Sequence, residues 1–81
     1  MATFLDTNVV VYAFDRSADA KQRRALEILG DASLSLVLSA QVLNEFFVTV
    51  TRKFREPLDV DVASRAVRAL TRLTVAPLDA D

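Results

Sequence analysis

The sequence predicts an α/β fold: a parallel sheet flanked by helices in three layers. Three observations carry this. Short apolar runs recur at Thr3–Leu5, Leu34–Leu38 and Leu73–Leu78. Longer stretches with apolar residues at helical spacing separate them. The second run is almost continuously apolar, which suits a strand buried on both faces of a parallel sheet. The order strand, helices, strand, helices, strand implies parallel strands joined by right-handed crossovers, with helices on both faces.

The first strand, Thr3 to Leu5, runs into Asp6-Thr7-Asn8, and Val9 to Phe14 begins a helix. Asp6 is thereby placed at the carboxyl end of a strand, where open α/β sheets hold their ligands. A carboxylate there is costly to bury unless something pairs with it, and a metal ion is one such partner. The plainer alternative, that Asp6 or Asn8 caps the helix, stays open at this stage. Asp15 to Asp19 reads as a polar loop, followed by a helix over Ala20 to Leu29 whose inner positions are Ala25, Leu26 and Leu29. Gly30 suits the position just past its end. Lys21, Arg23 and Arg24 read as a solvated face in preference to a nucleic-acid patch.

After the second strand, Ser39 can cap a helix from Ala40 to Phe54, and Pro57 ends that unit. Asp59 can cap the next helix, with Val62, Ala63, Ala66, Val67 and Leu70 as its apolar stripe. The third strand closes the series, with Pro77 near its end. At about 100° per residue, Val42, Leu43, Phe46, Phe47, Val50 and Phe54 fill an arc of about 140°. Glu45 falls about 60° outside that arc, with Thr49 beside it, one turn into the helix. If the first two strands are neighbours, Asp6 and Glu45 converge on one cleft at the carboxyl edge of the sheet. Two carboxylates that close repel unless a cation or a proton lies between them, and hard cations such as Mg²⁺ take oxygen ligands of this kind. Val48 lies away from the main apolar arc, and a role in self-association is the expectation for it.

Composition narrows the chemistry. The 81 residues make at most one small domain, and with 52% hydrophobic residues the chain is built to bury a core. Cysteine and histidine are both absent. That excludes disulfide frameworks, Cys/His zinc sites and His-dependent nucleophilic catalysis. Ten basic and eleven acidic residues give a net charge of −1, so nucleic-acid binding, if present, is local. No stretch reaches the roughly 18 apolar residues of a membrane span, and the start does not read as a signal peptide. A cytoplasmic protein is the expectation.

Two segments carry a resemblance. Phe4-Leu5-Asp6-Thr7-Asn8-Val9-Val10-Val11-Tyr12-Ala13-Phe14-Asp15 resembles the opening of PIN domains, especially VapC-type ribonuclease toxins. Leu38-Ser39-Ala40-Gln41-Val42-Leu43-Asn44-Glu45-Phe46 resembles their second motif. The resemblance implies an endoribonuclease dependent on Mg²⁺ or Mn²⁺, acting on RNA, forming a homodimer, and inhibited by a VapB-type antitoxin. By motif match Asp6 and Glu45 are the catalytic, metal-binding acids, and Thr7 and Asn8 orient Asp6 or its bound water. The resemblance spans the whole chain, 1–81, but only the amino-terminal portion of that family's domain. The family's later acidic positions have no match, and Asp79 and Asp81 read as ordinary residues after the third strand. The expectation is therefore a fold truncated after that strand: a fragment, a shortened gene product or half of a split protein. Such a chain is expected not to be a stable active monomer, and the free edge of its first strand to be covered by another segment or chain. Two rivals stand beside the nuclease. A haloacid dehalogenase-type phosphatase also places an acid after a strand, but needs a second Asp where this chain has Asn8. A catalytically incomplete fragment acting as a protein-interaction module is the other.

Overall fold

The computed structural model describes residues 2–76. The elements follow in the predicted order: β1 (Ala2–Phe4), α1 (Thr7–Ala13), α2 (Asp19–Leu29), β2 (Ser35–Ser39), α3 (Ala40–Val48), α4 (Val60–Leu70) and β3 (Thr74–Ala76). A π-helical segment, Thr49–Lys53, continues directly from α3. The strands form one parallel sheet in the order β1-β2-β3, with Phe4 level with Val37 and Val37 level with Thr74. The α/β fold with a parallel sheet and flanking helices is as the sequence predicts, but among the described residues the helices cover one face and not the two of a three-layer arrangement. The expected strand residues beyond Ala76, and Asp79 and Asp81 with them, lie outside the described residues.

Both connections step the same way across the sheet, β1 to β2 and then β2 to β3. Right-handed crossovers that step in one direction deliver their helices to one face. The core agrees: Leu5, Leu36 and Leu38 join Val10 of α1, Leu43 and Phe46 of α3, Val50 of the π segment and Ala63, Ala66 and Leu70 of α4 in one buried cluster. In-register neighbours of a parallel sheet share a face, so Phe4 and Val37 lie on the other side. Phe4 is 70% exposed. Among the described residues, cover by helices is built on the Leu36 face and is missing at Phe4. β1 is also an edge strand of the described sheet.

Phe46 has 0% exposure and meets Phe14 edge to face, with ring centroids 5.1 Å apart and planes at 61°. This contact locks the carboxyl end of α1 against the middle of α3. Ala63 and Ala66 are the small residues that let α4 approach the same core.

Several local expectations need correction. The helix read as continuous from Ala40 to Phe54 is α-helical only to Val48 and then widens, with the Phe54 N–H donating to the Thr49 carbonyl five residues back. The Thr51 hydroxyl donates to the Phe47 carbonyl at 2.6 Å, competing with the backbone inside that turn. Leu26 and Val62, read as inward-facing, are exposed; the small neighbours Ala25 and Ala63 take the buried positions and bring their helices close to the rest of the protein. Asp59 holds the N-cap position of α4 without a side-chain cap bond, while Ser39 caps α3, its hydroxyl accepting from the Val42 N–H at 3.0 Å. Gly30 follows α2 at φ −90°, so it ends the helix in right-handed backbone with its N–H on the Leu26 carbonyl. In the loop to β2, the Ser33 hydroxyl and N–H both donate to Asp31, holding its carboxyl below the ordinary value of 3.8.

Truncating Phe46 to Ala should cost about 3–5 kcal/mol in urea unfolding, a large fraction of a small domain's stability. Phe4→Ser should change it by less than about 0.5 kcal/mol. A Phe4→Ser cost equal to that of Phe46→Ala would show that the Phe4 face is covered in solution.

Candidate metal centre

The register of β1 on β2 sets the site. The Leu5 N–H donates to the Val37 carbonyl at 2.9 Å, and continuing that pairing brings Asp6 level with Ser39. Each of these residues is the N-cap of the helix that follows its strand. Two helices, α1 and α3, therefore start side by side at the carboxyl edge of the sheet.

Asp6 is extended at φ −79° and ψ 149°, and its side chain makes no cap hydrogen bond. The alternative in which Asp6 serves only as a side-chain cap is therefore not what the structure holds. Its carboxylate is exposed and accepts no hydrogen bond from the described residues. Asn8 is exposed on the first turn of α1, likewise without a side-chain partner among them.

Thr7 connects the two helices. Its hydroxyl donates to Glu45 Oε2 at 2.9 Å, across 38 residues of sequence. Glu45 Oε1 accepts from Gln41 Nε2 at 3.1 Å. Both Glu45 oxygens thus have a donor, and the carboxylate of α3 is held beside the residue that follows Asp6. Gln41 was not read as a site residue from the sequence; its signal is the i, i+4 spacing on the helix surface. Lys53 was also missed. It lines a concavity of about 320 Å³ with Asn44, Glu45, Val48 and Thr49, because the π turn carries it onto the side of the helix that bears Glu45.

A family model for the PIN domain matches residues 3–81. The chain belongs to the PIN domain family. PIN domains are typically nucleases and generally use divalent metals. No curated protein shows significant similarity to this chain.

In this PIN domain the side chains at the sheet edge suit a hard cation. Asp6, Glu45 and Asn8 offer oxygen and no sulfur or imidazole. Among the described residues no group of three or more acids, histidines or cysteines comes together. Two carboxylates are nonetheless a normal complement for Mg²⁺, which keeps several waters and binds through one or two acids plus a substrate phosphate. No helix is long and apolar enough to cross a membrane, among the residues described.

Were Glu45 to hold a metal ion, its hydrogen bond from Thr7 would be an outer contact of the kind worth about 10–100-fold in metal affinity. Thr7→Val should therefore weaken Mn²⁺ binding by about tenfold or more in calorimetry, and Thr7→Ser should restore it. Equal affinities for the valine variant and the wild type would make the Thr7–Glu45 bond a purely structural one.

Proposed function

We propose that the complete protein is an endoribonuclease of the VapC toxin type, with Asp6 and Glu45 as its metal-binding catalytic acids. The observation that supports this best is the Thr7–Glu45 hydrogen bond, which brings the carboxylate of α3 next to the turn that presents Asp6. A Mg²⁺ or Mn²⁺ ion bound there would supply an activated water and neutralise charge on the scissile phosphate. The chain's own contribution is positional. Asp6 and Glu45 present negative oxygens, Gln41 and Thr7 fix the Glu45 rotamer, and Asn8 stands exposed beside Asp6 to orient water.

This reading carries the partners the motifs imply: RNA as substrate, a second copy in a homodimer, and a VapB-type antitoxin as inhibitor. The chain would form the amino-terminal portion of that protein's catalytic domain, in the cytoplasm. Val48, 40% exposed and adjoining the Glu45 concavity, would belong to the self-association surface. A second reading, an interaction module without catalysis, is favoured by one observation: no third acid joins Asp6 and Glu45 among the described residues.

The test is a cleavage assay on single-stranded RNA with Mn²⁺ or Mg²⁺, using the full protein. The expected result is cleavage that chelation abolishes. Asp6→Asn and Glu45→Gln should each abolish it while changing stability by no more than about 0.5 kcal/mol, since both side chains are exposed. Cleavage at the wild-type rate by Asp6→Asn would assign Asp6 to the scaffold. Absence of cleavage by a folded, metal-loaded wild type would favour the module.

A further inference from the structure

We infer that a groove running from the Glu45 concavity toward the loop after α1 binds the phosphate backbone of single-stranded RNA through Lys53, Arg55 and Arg16. The inference rests on the nuclease reading for the identity of the strand. It adds residues and a path that the acidic motifs do not supply.

The groove is a concavity of about 690 Å³ between the Phe14–Ser17 loop and the Lys53–Leu58 segment. Arg16 projects from one wall, and Lys53 and Arg55 from the other. All three are exposed, and none is in an ion pair among the described residues, where the pair described is Arg24 with Glu27. The groove also contains two acids, Asp15 and Glu56. Asp15 is turned into its own loop, with Oδ1 accepting from the Ser17 N–H at 3.0 Å and the Ser17 hydroxyl at 2.6 Å. Phe54 and Pro57 add apolar surface on which a base or ribose can rest.

Lys53 lines both this groove and the smaller concavity that holds Glu45. The two hollows thus share Lys53 as a common wall. A strand whose scissile phosphate lies at the carboxylates meets a positive charge next, and then two more. The chain's net charge is −1, so this local excess of cations is not a reflection of a basic protein. Charge complementarity and the shared Lys53 wall beside the Glu45 carboxylate favour a polyanionic strand over an acidic peptide. The π turn is what makes the path, since it sets Lys53 at the junction of the two hollows. π turns inside helices are frequently found at functional sites.

The test measures binding of a fluorescent oligouridylate RNA by anisotropy over a range of salt, in the full protein carrying Glu45→Gln so that the RNA stays intact. Arg16→Gln, Lys53→Gln and Arg55→Gln together should weaken binding by about tenfold or more. They should also reduce the slope of log K against log salt by about 2, near 0.7 per lost phosphate contact on a single strand. The charge-matched control is Arg65→Gln, Arg68→Gln and Arg72→Gln, which line neither concavity; it should change both quantities far less. Equal losses in the two triple variants, no RNA binding at all, or competition by polyglutamate as effective as by unlabelled RNA would each overturn the groove. Groove-dependent binding by a wild type that fails to cut RNA with Mn²⁺ would sink the nuclease and leave the groove standing. Cutting by the wild type with unchanged binding in the groove variant would do the reverse.

Discussion

The arrangement depends on the contact between Phe14 and Phe46. Phe14 is the residue on which α1 ends and Phe46 is the residue after Glu45, so this aromatic pair ties together the helices that present Thr7 and Glu45. Edge-to-face pairs add about 0.5–1.5 kcal/mol beyond the area they bury. Their larger effect here is geometric. An exposed hydrogen bond such as Thr7 to Glu45 is worth too little to hold two helices in place. It forms because buried aromatic surface one residue away already fixes them. The hydrophobic core is in this sense the outermost support of the polar site.

Much of this was legible in the residues. The apolar runs mark the strands, and a polar residue at the end of each, Asp6 and Ser39, marks the carboxyl edge. Stepping 100° per residue placed Glu45 just outside the buried arc, and it is exposed beside a buried Phe46. What could not be read was decided by competition between partners. The Thr7 hydroxyl had Asp6 and its own helix backbone as local choices and bonds a side chain 38 residues away. The π turn was hidden because Phe46, Val50 and Phe54 recur at intervals of four, a spacing that an α-helix satisfies just as well. The openness of the sheet at Phe4 was hidden for a different reason. Alternating strands and helices say that crossovers exist, while the face they cover follows from the direction in which they step.

Glu45 and Lys53 occupy opposite ends of one short helical unit. Glu45 stands on the α-helical part and Lys53 on the widened part. The change of helix type is thus also a change of the charge presented to solvent. A single regular helix would rotate Lys53 away from the line of Glu45 and Thr49, and the two hollows would lose their common wall.

The order of strands in space equals their order in the chain. Each hydrogen-bonded neighbour is the next strand to be made, so the sheet can assemble by accretion as the polypeptide leaves the ribosome. β2 can dock on β1 with α1 and α2 already packed, and β3 can dock on β2 without displacing an earlier strand. Pairings that are close in sequence close small loops and form quickly. In vectorial synthesis the growing edge is the newest strand, and among the described residues nothing pairs with the outer edge of β1. A later segment of the same chain that paired on that outer side would close a longer loop than either pairing within the described sheet, and long-range pairings of that kind form more slowly.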